Sequence, residues 1–177
     1  CTGCGSCTKT CPLDVFRLET AQEQISPCMA ACPAGVDIRG NHYLIQQGNL
    51  DEAARNYLAV QPFPAITGRV CFHPCESACA RARVDSAVNI NAVEHVLGDW
   101  AAQMPLEKPV RRHISKVAVV GSGPAGLSCA WFLALMGYPV TVFEARPFPG
   151  GMLRYGIPAY RLPDDVVATQ VRRLEEI

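Results

Sequence analysis

Nine of the ten cysteines in this 177-residue chain lie before residue 80, in three blocks: Cys1, Cys4, Cys7 and Cys11; Cys28 and Cys32; Cys71, Cys75 and Cys79. Thiols spaced this closely constrain the fold before any periodicity does, because each block must curl around whatever its sulfurs bind. An even count is compatible with a disulfide framework. No basic, apolar, small-residue leader precedes the cysteines, however. A reducing, cytoplasmic compartment is therefore expected, where clustered cysteines serve as metal ligands or redox groups. Sixteen Lys plus Arg against sixteen Asp plus Glu leave no net charge, which argues against a nucleic-acid partner held by phosphate neutralisation. The longest apolar stretch, Leu127 to Met136, is about half of what a bilayer requires, so no membrane span is expected.

The first block reads C-x2-C-x2-C-x3-C-P from Cys1 to Pro12. It resembles the bacterial ferredoxin run, in which three thiolates converge on one [4Fe–4S] cubane and the fourth, ahead of Pro, serves a second cluster. Zinc is the rival ligand, since two C-x2-C pairs can bind it tetrahedrally, but zinc sites place a longer excursion between their pairs. On the ferredoxin pattern Cys1, Cys4 and Cys7 lack a fourth thiolate, so the sequence is expected to be a piece of a longer polypeptide.

Helical signals separate the remaining blocks. Asp37 is placed as an N-cap, and Asn49 stands ahead of LDEAARNYL as another. A further helix is expected over Ala92, Val93, Val96, Leu97 and Trp100, an apolar stripe that leaves Glu94 on the opposite face. Met104 to Ser115, with two prolines and no periodicity, reads as a linker. The pattern then changes. Lys116–Val120 is β-branched, Gly121–Gly126 glycine-rich, Leu127–Met136 apolar and Val140–Glu144 β-branched again. This is one βαβ unit, the building block of a parallel sheet. Cys129, alone on its helix, is expected to be a small buried thiol.

From Ser26 to about Ala102 the chain resembles the N-terminal iron–sulfur domain of the glutamate synthase small subunit and of dihydropyrimidine dehydrogenase. The resemblance rests on Cys28-x3-Cys32-Pro33, Gly68-Arg69-Val70-Cys71, Cys75-Glu76-x2-Cys79 and Asn89-Ile90. It implies that Cys32, Cys71 and Cys75 ligate one [4Fe–4S] cluster and that Cys28 and Cys79 match ligands of another. Two family cysteines fall where this chain has Thr20 and Glu23, and Thr67 replaces a further common one. One cluster is therefore expected from these five thiols, its fourth ligand being Cys28, Cys79 or Glu94, with the cysteines preferred. A Rieske centre is excluded, because Cys71-Phe72-His73 has no second cysteine and histidine at the required spacing. His73 is then an ordinary loop residue.

Gly121-Ser122-Gly123-Pro124-Ala125-Gly126 follows a strand and opens a helix, and Glu144 ends the next strand. The glycines permit the tight turn, the approach of a pyrophosphate and helix-on-strand packing, while an acid in that place accepts from a ribose 2′-hydroxyl. This fits NAD and FAD alike. The continuation through Gly150, Gly151, Met152, Tyr155-Gly156-Ile157-Pro158 and Arg161-Leu162-Pro163 resembles the FAD site of the same flavoproteins. The resemblance implies that Gly150, Gly151, Met152 and Arg161 approach the flavin nucleotide.

The expected fold class is thus multidomain α+β. Residues 1–25 would be the end of a ferredoxin-like domain and 26–103 an α-helical iron–sulfur domain. A linker at 104–115 would lead to residues 116–177, the start of a Rossmann-like FAD-binding domain with a truncated parallel sheet. The family resemblance implies an oxidoreductase subunit that moves electrons between NAD(P)H, FAD and [4Fe–4S] clusters, to or from other subunits of a redox complex or a ferredoxin. No general acid, base or nucleophile is evident. Two rivals stand: a flavin-free electron carrier and a structural zinc-binding module.

Overall fold

The computed structural model describes residues 25–177. The cysteines of the first block, with Thr20 and Glu23, lie outside the described residues.

Seven short helical segments make up the first unit. They are α1 (Pro27–Ala30), α2 (Ile38–Gln46), α3 (Leu50–Val60), α4 (Pro64–Val70), α5 (Pro74–Ser77), a 3₁₀ turn (Ala80–Arg83) and α6 (Ile90–Gln103). The Asp37 carboxylate caps α2 by accepting from the Gly40 N–H at 2.9 Å. Asn49 stands at the N-cap of α3 without a side-chain bond, and Asp51 and Glu52 in its first turn complement the helix dipole instead. The core packs Val36, Ile38, Ala53, Ala54, Tyr57, Cys75, Ile90, Leu97 and Ala101 together, with Cys28 and Cys32 against its edge.

Helices α4 and α6 cross almost backbone to backbone. A Cβ on Gly68 would stand 2.5 Å from the His95 Cα, and one on Gly98 2.5 Å from the Ala65 nitrogen. The crossing is fastened by Arg69, whose guanidinium donates to both Asp99 carboxylate oxygens at 2.7 and 3.0 Å.

This contact corrects the expected face of α6. Its buried residues are Ile90, Leu97, Gly98 and Ala101. Val96 is 65% exposed, and Trp100 lies at the surface with its indole N–H on Asp51. Leu97 is buried as expected, but the close approach brings Gly98 and Ala101 to the contact in place of Val96 and Trp100, and turns Glu94 inward.

The second unit pairs β1 (Val117–Val120) with β2 (Val140–Phe143) in parallel, Val117 opposite Val140, through helix α7 (Pro124–Leu135). Among the described residues the sheet has two strands. Val120 and Phe143 are correspondingly exposed. A single turn, α8 (Met152–Tyr155), leads to α9 (Asp164–Glu175). Helix α7 buries Leu127, Ala130 and Trp131. Cys129 is exposed, contrary to expectation. Because α7 is apolar all round, periodicity could not tell its inner face from its outer one.

Residues 104–116 contain no helix or strand, yet the two units share a core. Phe63 and Ile66 from the helical unit pack with Leu127, Leu153, Leu162, Val167 and Val171. Arg173 of α9 donates to the Ala102 and Met104 carbonyls at 3.0 and 2.6 Å, capping the end of α6.

Candidate cofactor sites

In the helical unit, turns carry the thiols. Cys28 is on α1, Cys32 just beyond it, Cys71 at the C-cap of α4, Cys75 on α5 and Cys79 ahead of the 3₁₀ turn. None is in a disulfide. His73, in a left-handed conformation (φ 43°), reverses the chain between Cys71 and Cys75 and directs its backbone N–H to the Cys71 sulfur at 3.2 Å.

These sulfurs separate into two groups. Cys32 lies within electrostatic reach of both Cys71 and Cys75, and Cys71 of Cys75, and these neighbours add to the upward shift of the Cys71 and Cys75 thiols. Burial is the larger cause for Cys71 and Cys75, and it pushes the Cys75 thiol up to about 11. Glu94 belongs to this group. Its carboxylate accepts from Gln61 at 3.0 Å and from the Thr67 hydroxyl, burial raises its pKa, and its charge acts on Cys71. Cys28 and Cys79 instead line a separate cavity of about 250 Å³, together with Ser26, Ile38, Arg39 and His42. The Cys28 sulfur lies 3.3 Å from the Ser26 hydroxyl, and Cys79 accepts from the Val88 N–H at 3.5 Å. Glu94, expected on the opposite face of its helix, is within electrostatic reach of Cys71, and it stands with Cys28 and Cys79 among the candidates for the fourth ligand. Among the described residues, no three His, Cys, Asp or Glu side chains gather where a single metal ion could sit. A cubane is a larger body that offers each ligand its own iron atom.

At the second site, Gly121 (φ 95°) turns the chain out of β1. A Cβ on Gly126 would stand within bonding range of the Gly121 carbonyl, so only glycine lets α7 start there. Beside Gly123, by contrast, the space is open, which is what a pyrophosphate at the helix start requires. Pro124 and Ala125 begin α7 and are exposed. Ser122 is 2% exposed, and its hydroxyl and backbone N–H both donate to Glu144, the latter at 2.9 Å. The Arg146 backbone N–H adds a third hydrogen bond at 2.9 Å. Held by these bonds, the Glu144 carboxyl titrates at about 2, well below the usual 4.5. Gly150 and Gly151 lie against the same loop. The Gly150 N–H reaches the Ser122 carbonyl at 3.0 Å, and Gly151 (φ 53°) would place a Cβ 2.7 Å from the Gly123 Cα. Met152 and Arg161 are exposed. A cavity of about 840 Å³ runs beside β2 from Gly137 to Glu144, bounded by α7 and α9.

Residues 20–106 match the family described as dihydropyrimidine dehydrogenase domain II, 4Fe–4S cluster. Residues 119–167 match the NAD(P)-binding Rossmann-like domain. The chain is a 4Fe–4S domain followed by a Rossmann-like domain. It is 43% identical over 158 residues to the NADPH-Fe(3+) oxidoreductase subunit beta of Geobacter sulfurreducens, covering 86% of this chain and 23% of that protein. It is 34% identical to the NADP(+)-dependent formate dehydrogenase subunit beta of Moorella thermoacetica, across 86% of the chain and 25% of the relative. With the glutamate synthase [NADPH] small chain of Bacillus subtilis it shares 35% identity, across 91% of the chain and 37% of the relative. The chain therefore spans about a quarter of the length of the first two relatives and somewhat more of the third.

Asn41, His42, Tyr57 and Asn91 of the helical unit each bury a polar side-chain atom with no hydrogen-bond partner, as do Trp131 and Arg173 of the second unit. Of these, Tyr57 packs with Cys75 and Cys32, and His42 borders the cavity lined by Cys28 and Cys79, which fits a bound group there. Buried polar groups are rarely left unpaired in number. In the Rossmann-like domain, sequence reasoning missed a clasp beside the loop. Arg146 lies over the Tyr155 ring and Arg154 over Phe148, at 4.4 and 4.3 Å, while the Tyr155 hydroxyl donates to the Phe148 carbonyl. The alternating Arg and aromatic residues from 146 to 155 were its only sequence signal.

Proposed function

We propose that this chain is the cluster-binding and flavin-binding portion of an NAD(P)H-dependent electron-transfer flavoprotein subunit. The observation that carries the reading is the gathering of Cys28, Cys32 and Cys75 at one core of the helical unit, with Cys32 and Glu94 in electrostatic reach of Cys71, and the second core that joins this unit to the Rossmann-like domain. Cys32, Cys71, Cys75 and Glu94 would hold one [4Fe–4S] cluster. Cys28 and Cys79 would serve a second centre, and Cys1, Cys4, Cys7 and Cys11 the ferredoxin-type clusters. The domain limits follow: 1–25 ferredoxin-like, 26–103 helical, 104–115 connecting, and 116–177 nucleotide-binding.

In the Rossmann-like domain, Gly121–Gly126 would seat the FAD pyrophosphate on the N–H groups that open α7. Glu144 would orient the adenosine ribose, and Gly150, Gly151, Met152 and Arg161 would border the flavin side. When bound, the flavin links two-electron hydride chemistry to the one-electron chemistry of the clusters. The chain shows no evident general acid or base in its sequence. Its part is to position, to exclude water and to tune. The electron partner would be another subunit of a redox complex or a ferredoxin, in a cytoplasmic setting.

A second reading is favoured by the NAD(P)-binding description of the matching Rossmann-like family: the glycine loop holds the pyridine nucleotide itself. Anaerobic addition of NADPH or NADH to the full-length, flavin-loaded protein tests the proposal. The flavin absorbance should bleach and the EPR signal of reduced clusters should follow. A protein that carries no flavin yet binds NAD(P)H through Glu144 would establish the second reading instead.

A further inference from the structure

Tyr57 lies at the centre of α3, on the face that also presents the fully buried Ala53 and Ala54. Its side chain is 1% exposed and packs in one cluster with Cys75, Ile90 and Leu97, with Cys32 against the rim. The ring accounts for its share of the core. The hydroxyl does not, because it is buried without a hydrogen-bond partner. Leaving such a group unpaired is destabilising, and Phe would fill the same space without that penalty. One oxygen of the nearby carboxylate is engaged, since Glu94 Oε1 accepts from both Gln61 and Thr67. On the cluster assignment made above its other oxygen would ligate iron, and the acceptors the centre would present to the phenol are sulfurs. A phenol is protonated at neutral pH and is therefore a donor.

We infer that Tyr57 donates a hydrogen bond to sulfur of the centre held by Cys32, Cys71 and Cys75, and that this bond raises the reduction potential of that centre. The inference rests on the cluster assignment made above. Reduction adds one electron to the centre and no proton, and the phenol keeps its hydrogen throughout. A donor aimed at the sulfurs stabilises the more negative, reduced state. Tyr57 is thus a positioning residue that acts on potential.

The test is Tyr57→Phe in the full-length protein, purified anaerobically and titrated with dithionite and mediators while EPR follows the signal that Cys71→Ser abolishes. Iron and sulfide content should equal wild type, and the midpoint should move to more negative potential. If the bond is worth a tenfold preference for the reduced state, the shift is about 59 mV. As a second measurement, ENDOR of the reduced wild-type centre should lose one exchangeable proton coupling in D2O, a coupling that Tyr57→Phe lacks from the start. A loaded cluster with unchanged potential and unchanged coupling would overturn the inference alone. Wild-type protein whose helical domain holds no cluster would overturn the cluster assignment, and the inference with it.

Discussion

The two domains prepare their sites in opposite ways. In the Rossmann-like domain the site is already satisfied by the chain: Glu144 accepts three hydrogen bonds, two of them from buried Ser122, and Gly150 closes onto the same loop. In the 4Fe–4S domain the site is unfinished. Burial raises the pKa of Cys71, Cys75 and Glu94, and the Tyr57 hydroxyl, packed with Cys75 and Cys32, is buried without a partner. A nucleotide would dock on a loop that holds its own shape. A cluster held there would bring like charges together, so its binding would be coupled to folding and would release protons.

The largest effect that can break this contrast is loss of a ligand. Cys71→Ser should remove one cluster and loosen the helical domain, because a hydroxyl replaces thiolate poorly, whereas Cys129→Ser on the exposed face of α7 should leave iron content unchanged. Iron analysis of the two variants checks this. Equal loss in both would dissolve the distinction between pocket and surface thiols.

Next in size is the nucleotide site. Glu144→Ala should weaken FAD binding about ten- to a hundredfold through loss of a charge-assisted hydrogen bond, with little change in NAD(P)H affinity. Equilibrium titration of the apo-flavin protein measures both. The reverse outcome would assign the loop to the pyridine nucleotide.

Much of this second site was legible in consecutive residues. The glycine spacing, the strand before it and the acid after it sit on neighbouring turns, so local chemistry suffices to read them. The capping of α2 by Asp37 was legible for the same reason. Glu94 was not, because its orientation depends on Gly68 and Gly98 allowing α4 and α6 to touch, a contact between segments far apart in sequence. Helix α4 itself escaped notice, since seven residues containing Thr, Gly and Val make a weak helical signal. Nor could spacing divide the five thiols into two groups, as that depends on how α1, α5 and the 3₁₀ turn pack.

A smaller effect bears on how firmly the two domains are joined. Arg173→Ala leaves the carbonyls of Ala102 and Met104 without their cationic donor and should cost about 2 kcal/mol, seen as a lower thermal midpoint of the holoprotein. Unchanged stability would mean that α9 is held by Val167 and Val171 alone.

The smallest effect is one of pH. Because the Glu144 carboxyl is depressed to about 2 from 4.5, the stability it contributes is fully present above about 4.5 and is lost as pH falls toward 2. Solvent screening keeps it modest. Glu144→Gln should flatten that part of the stability curve, which chemical denaturation at stepped pH resolves. A variant that follows the wild-type curve would remove the latch from the account.

The central claim is that the helical domain encloses an iron–sulfur centre. Its most direct test is analysis of iron, zinc and acid-labile sulfide in the full-length protein after anaerobic purification. The account predicts brown protein with iron and sulfide in equal amounts and a complement that falls by one cluster in Cys71→Ser. Colourless protein with stoichiometric zinc and no sulfide would contradict it.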